Sequence, residues 1–428
     1  MANFSNAKFA IGLTKQADKD TINTADLVRY PFLYGNGSGF DVVPEADTYQ
    51  DVVDPIFESS KTQILGAVIQ GGVEVPMDAG FAGLILGTML NSINTTNPES
   101  GVYQHVIEPL STTSPNFHTI LYSDGTCDSR IVGAVPTQIA FGADFQNKRM
   151  NASVGFTAIR MEDNDGANAG AVTVANATDI WTRSTHGYAD GDAVMLTNSG
   201  GALPTGSNNT TVYYVEVINA NTFYLHTTWQ GSVNHLTGTR LNVSSDGSGT
   251  HTATRLITAY PSQAAINPFH FVNTGALLTL NTDGAGAVDY TDKFAGFSYT
   301  LQDGISAEQR SGSNTYRVIE RVDRVQQLNL VLDYDSATLK DIIRDYQKKS
   351  QPNKFEIIVQ LQGALIGAST TYHYSMKAQF YNCNLIAHSY TRTPEIGKQT
   401  LGFSVNHDTG QSKSVTWTIV NDVDGYLT

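Results

Sequence analysis

Charge is what this 428-residue chain has least of: Asp, Glu, Lys and Arg together make up 15% of it, against the usual quarter. That scarcity excludes both a salt-bridge-laced helical protein and a charged disordered tail. Basic residues are the scarcer sign, 26 against 40 acids, and the formal charge is −14. A surface built to grip phosphates through Lys and Arg is therefore excluded, whereas a surface that nucleic acid slides past is not. Cysteine is nearly absent. Cys127 and Cys383 cannot make a disulfide framework, and neither has a second Cys or His at zinc-ligand spacing. Both read as structural thiols of a reducing compartment. Long apolar runs are missing too, the longest being "FAGLILGTML" (81–90), half of what a bilayer requires. The opening "MANFSNAKFAIGLTKQADKD" lacks a basic-then-apolar leader pattern, so assembly in a cytoplasm is the expectation.

The signatures of catalysis are absent as well. "GALPTGS" (201–207) has the glycines of a phosphate-cradling loop but no lysine, and "GNGSG" (35–39) has the wrong register for a nucleophile elbow. No His-Glu-x-x-His pair occurs. His186, Asp190 and Asp192 fall within "HGYADGD", where His-Gly and Asp-Gly read as turn chemistry rather than as cation ligands. "MEDNDGANAG" lacks the alternating ligands and closing Glu of a calcium loop. No catalytic, cofactor-binding or metal-binding residue is expected, and the chain does not read as an enzyme.

What is present points to strands and tight turns: 38 Gly, 20 Tyr and 18 Phe, with abundant Thr, Val and Asn. The fold class expected is mainly β with few helices. Charge divides the chain into three parts. Residues 1–165 hold 19 acids and 9 bases, 166–255 only 5 and 3, and 256–428 hold 16 and 14. The nearly uncharged middle is bracketed by "DNDGANAG" and "TAYPSQAAINP", which read as linkers. An inserted all-β domain is expected over 170–256, between a domain over 1–165 and another over 260–428.

The flanks resemble each other. "KTQILGAVIQGGVEV" alternates as a strand and leads to "PMDAGFAGLILGTMLN", a helix capped by Asp78 with Phe81, Leu84 and Ile85 on one face. In the second flank "VQQLNLVLDYD" is the strand and "SATLKDIIRDYQKKS" (336–350) the helix, with Leu339, Ile342, Ile343 and Tyr346 at helical spacing. Closing strands follow each: "PTQIAFGADF" with "MNASVGFTAIRMED", and "NCNLIAHSY" with "KQTLGFSVNHD". "NASVGFTAI" and "KQTLGFSVN" superimpose. The expectation is a tandem duplication of one strand-rich unit carrying one helix per copy.

These segments carry a resemblance. "QILGAVIQGGVEVPMDAGFAGLILGTMLN" with the following strand "GVYQHVIEP" resembles the strand-then-helix segment of long-tailed bacteriophage tail tube proteins. "QTLGFSVNHDTGQSKSVTWTIVNDVDGYLT" is similar to that family's closing strands. "THGYADGDAVMLTNSGGALPTGSNNTTVYYVEVINANTFYLHTT" resembles a small β-module inserted in many phage structural proteins, through Gly191-Asp192, Leu203-Pro204 and Tyr213-Tyr214-Val215. The resemblance implies tandem sandwich-like units in a ring-forming subunit of the virion tail. Its partners would be further copies of itself, other tail proteins and phage DNA in transit. A duplicated core implies a trimeric ring with pseudo-sixfold symmetry rather than a hexamer.

Under that reading, alternation on "TQIAFGADFQNK" puts Ile139, Phe141, Ala143 and Phe145 on one face and Gln138, Asp144 and Gln146 on the other, as lumen candidates. The stretch 35–60 holds six acids (Asp41, Glu45, Asp47, Asp51, Asp54 and Glu58) and no base. It reads as a long loop reaching a neighbouring subunit or ring. The competing expectation is a tail-tip or fibre component whose inserted domain binds a host-surface glycan.

Overall fold

The computed structural model describes residues 7–33, 38–49, 61–112, 114–144, 149–164, 168–271, 276–282, 286–309, 316–333, 354–392 and 397–427. They are mainly β. The first flank runs β1 (Lys8–Gly12), β2 (Leu27–Tyr30), β3 (Gly39–Tyr49), β4 (Lys61–Pro76), α1 (Ala79–Leu90), β5 (Asn91–Glu99), β6 (Val102–Pro109), β7 (His118–Ser123), β8 (Asp128–Asp144), β9 (Asn151–Ala158) and β10 (Arg160–Asp163). The middle segment supplies β11 (Ala169–Ala175), β12 (Ile180–Thr182), β13 (Ala193–Ser199), β14 (Tyr213–Asn219), β15 (Thr222–His226), a one-turn α2 (Trp229–Val233) and β16 (Thr250–Arg255). The second flank adds β17 (Leu277–Thr282), β18 (Ala287–Asp289), β19 (Phe294–Gln309), β20 (Tyr316–Asp333), β21 (Lys354–Leu365), β22 (His373–Arg392), β23 (Gly397–Val405) and β24 (Val415–Asn421).

The flanks repeat one strand pattern. In the first, β3 pairs β4, β4 pairs β9 and β9 pairs β8, all antiparallel. In the second, β19 pairs β20, β20 pairs β23 and β23 pairs β22 in the same way. The other end of the long strand repeats as well: β8 carries β7 and β10, and β22 carries β21 and β24. Even the irregularity recurs. A bulge displaces Thr137 where Phe156 faces Pro136 and Gly155 faces Gln138. Another displaces Ile386 where Phe403 faces Leu385 and Gly402 faces Ala387. The two Gly-Phe phrases noted in the sequence therefore hold equivalent places. A bulge bends its strand, and here it lies where β8 exchanges β7 and β10 for β9 and β19 as neighbours, and where β22 exchanges β21 and β24 for β23.

Read as separate domains, the flanks are nevertheless one body. A single hydrophobic core runs from Phe9 and Phe81 through Phe141 to Tyr299, Phe380 and Trp417. The rings of Phe141 and Trp417 lie 5.8 Å apart, and Tyr299 and Trp417 5.2 Å, edge to face. The halves are tied together because the sheet of each buries a face in this common core.

Helix α1 begins where Asp78 accepts the Phe81 N–H at 2.7 Å. The expected single apolar face is a correction to make: every residue of α1 except Gly80 is buried. Gly83 leaves room for the Tyr426 ring, from which a Cβ there would sit 2.7 Å away. With no basic residue in its own last turn, α1 takes its cations from the other half. Arg321 donates to Thr88 O and Arg324 to Met89 O, both at 2.7 Å. The second flank's expected helix over 336–350 lies outside the described residues.

Burial of the Asp78 carboxyl, with the like charge of Asp422 adding to it and the Phe81 N–H opposing, raises its pKa to about 6. The folded value lies above the unfolded one, so this group adds stability below pH 4 and loses it as pH rises through 6. Asp78→Asn keeps a capping acceptor without the charge. The stability of the native chain relative to Asp78→Asn should therefore fall by on the order of 2–3 kcal/mol between pH 4 and pH 7. Urea titrations at both pH values check this; a constant difference between them refutes it.

Candidate functional site

Strand β8 joins the halves. Beyond its bulge it pairs antiparallel with β19, from Gln138 opposite Gln302 to Asp144 opposite Gly296. The two four-stranded units thus form one eight-stranded sheet in the order β3-β4-β9-β8-β19-β20-β23-β22. One face is the core: Ile139, Phe141 and Ala143 on β8, Phe297, Tyr299 and Leu301 on β19, Leu328 and Leu330 on β20. The opposite face follows from the two-residue period. It carries Gln70, Ser153, Gln138, Ser298, Thr300, Gln327 and Thr400, small and polar side chains in rows across the strands. Among the described residues the charges on this face are Asp41, Glu74, Asp144, Asp323 and Asp333 against Lys398.

Gln138 is exposed and Asp144 half-buried, both on the polar face opposite Ile139, Phe141 and Ala143. Gln146 and Phe145 lie outside the described residues, as do Asp51, Asp54 and Glu58. The reading of 35–60 as a loop needs correction. Gly39–Tyr49 is strand β3, paired with β4 from Gly39 opposite Gly72 to Tyr49 opposite Lys61. Asp41 is therefore an exposed strand residue, and Glu45 and Asp47 stand on the same strand. Pro44 and the acids disguised it. An edge strand tolerates both, because its outer N–H groups have no ladder partner to lose.

The middle segment is a closed six-stranded barrel in the order β11-β12-β15-β14-β13-β16, filled by Trp181, Tyr213, Phe223 and Leu225. It runs from Ala169 to Arg255, against 170–256 read from the sequence, and contains the short α2 that reading lacked. Within it the His186–Asp192 cluster serves turns. The His186 Nδ1 accepts the Tyr188 N–H at 2.9 Å, and its Nε2 donates to Asn219 O at 2.8 Å. Asp190 accepts the Val217 N–H, and Asp192 accepts from Ala189 N and Arg255.

A buried ionic cluster that the sequence reading missed fixes this barrel to the core. Glu162 takes Arg130 on one oxygen (2.9 and 2.5 Å) and Arg160 on the other (2.7 Å). Burial alone would raise its pKa, but the two guanidiniums hold it below the ordinary carboxylate range. The Arg160 guanidinium stands 5.1 Å from the Trp229 ring centroid and 5.8 Å from that of Tyr214, both in the barrel. Arg130 also donates to Leu256 O on the returning linker. The only local sign was "RMED", an alternation of charge on a short strand.

No protein-family model matches this chain, and no curated protein sequence matches it.

Proposed function

We propose that this chain is the structural subunit of a bacteriophage tail tube: copies close into a ring, rings stack, and DNA passes along the central channel to the host. The observation that carries this reading is the eight-stranded sheet. Two equivalent four-stranded units are already joined edge to edge within one chain, and among the described residues both ends of the joined sheet remain open. Repeating the same junction between chains turns the sheet into a closed wall. Closure removes the exposed strand edges that otherwise invite aggregation. With two units per chain, three chains make a ring whose inner wall is pseudo-sixfold, the number being taken from the family that the sequence resembles.

The polar face suits the inside of that wall. Its side chains are mostly uncharged, and among the described residues acids outnumber bases on it, so a phosphate backbone is repelled and finds no row of cations to hold it. Gln138 and Asp144 are lumen residues in this reading, the rings reside in the virion tail after assembly in the host cytoplasm, and no catalysis or cofactor is involved. Negative-stain microscopy of the purified protein is the test. The expected result is rings or tubes with a central channel and threefold class averages. A protein that stays monomeric at all concentrations, or forms spikes without a channel, refutes it.

A further inference from the structure

The geometry points to the strands and register by which one copy of this chain takes hold of the next: the outer edge of β3 on one copy pairs antiparallel with the far end of β22 on its neighbour, Phe40 standing opposite Tyr390. The inference rests on the ring reading above and specifies its contact.

The internal β8–β19 junction transposes onto the two open ends. Matching the two halves through Phe156 and Phe403 makes β3 the equivalent of β19 and β8 the equivalent of β22. Through the ladders, Phe40 faces Gly71, which faces Phe156, and Tyr299 faces Leu328, which faces Phe403. Phe40 therefore takes the place of Tyr299. By the same route past the common bulge, Tyr390 takes the place of Phe141. Inside the chain Tyr299 stands opposite Phe141, their rings 5.4 Å apart. The mates transposed from the internal junction are Gly39–Thr391, Phe40–Tyr390, Asp41–Ser389, Val42–His388 and Val43–Ala387.

Burial says which side of each strand is waiting. At the internal junction Leu301 is 0% exposed and Phe141 3%; their equivalents at the open ends, Val42 and Tyr390, are 54% and 46% exposed. Large apolar side chains occupying core positions of a repeat, yet standing in solvent, mark a contact that the single chain does not complete. Among the described residues, β3 pairs only with β4, and residues 387–392 of β22 pair only with β23. Pro44 follows the last proposed mate on β3. Having no N–H to add to a ladder, it ends the pairing where the internal junction also ends, at Gln302. Asp41 meets the small, uncharged Ser389, so the register brings no like charges together.

Disulfide capture tests the register in the full chain. Asp41→Cys and Ser389→Cys are made together, with Cys127→Ala to remove the exposed native thiol. Oxidation of assembled rings should give a non-reducing ladder whose heaviest band equals the ring's subunit number. Capture should be about ten-fold faster than for Asp41→Cys with Thr391→Cys, which is displaced along the same face by one pleat. Equal capture of both pairs, or none in rings that microscopy shows to be intact, overturns the register and leaves the ring reading standing. Protein that never leaves the monomer overturns both.

Discussion

Gly142→Val should abolish ring assembly and destabilise the chain by on the order of 3 kcal/mol, because it forces apart the strands that join the halves. Gly142 lies on β8 opposite Ser298 of β19. A Cβ placed on it would meet Phe297 O at 2.5 Å and Ser298 Cα at 3.0 Å. Both are backbone atoms, so no rotamer change relieves the clash, and a branched side chain makes it worse. The strands can separate only by losing the ladder from Gln138 to Asp144 and by pulling Phe141 from its contacts with Tyr299 and Trp417. Gly155 provides the control. It lies on the neighbouring strand β9, but its Cβ would make only ordinary contact, 3.4 Å from Thr137 Oγ1. Gly155→Ala should leave stability within about 1 kcal/mol of the native value and leave assembly intact. Urea denaturation and negative-stain images of both variants check this. A Gly142→Val protein that assembles normally would mean that the β8–β19 junction is not the template of the ring.

How much of this was legible in the sequence depends on how local the deciding interaction is. The face of β8 that holds Ile139, Phe141 and Ala143 could be read from alternation alone, since a strand's two faces are fixed by its own residues. The Asp78 cap was legible for the same reason, its partner being only three residues away. The repeat showed because two copies of one pattern sit in one chain, and the barrel because its composition differs from what surrounds it. The β8–β19 junction was not legible. "GFSYTLQ" alternates as any half-buried strand does, and nothing in it names a partner some 160 residues earlier. Strand β3 was hidden by Pro44 and by acids, which an edge position permits and a central strand would not. Glu162 gave no sign of lying between Arg130 and Arg160, because burial of a charge is decided by the tertiary fold. The helix α1 looked one-sided because a sequence window cannot show that both halves of the chain close around it.

The repeat also fails in one informative place. Hairpin β5–β6 belongs to the first half and pairs with β24 of the second, Ile107 standing opposite Trp417. The first half's counterpart of β24 is β10, and among the described residues its partner is β8 alone; the chain departs from β10 into the barrel. In the proposed ring the inner sheet would thus repeat twice per chain, while the layer outside it would alternate between hairpin and barrel. A ring of such chains would be pseudo-sixfold along the lumen and strictly threefold at its rim.

Excision of the barrel separates these two layers. Its two linkers meet at a clasp, Asn164 Nδ2 donating to Thr258 O at 2.9 Å and Thr258 N donating to Asn164 Oδ1 at 2.8 Å. Cutting above that clasp, from Ala169 to Arg255, and bridging the ends with a short Gly/Ser link leaves every strand of the inner sheet in place. The uncovered Arg160 loses the Trp229 and Tyr214 rings but keeps Glu162 at 2.7 Å and the Asp20 carbonyl at 2.9 Å. The loss of stability should therefore stay at about 1–2 kcal/mol. Tubes should still form, narrower outside and unchanged in channel width, as measured on class averages beside the full chain. If the shortened chain folds but does not assemble, the barrel is part of the ring contact and the inner sheet alone does not close it.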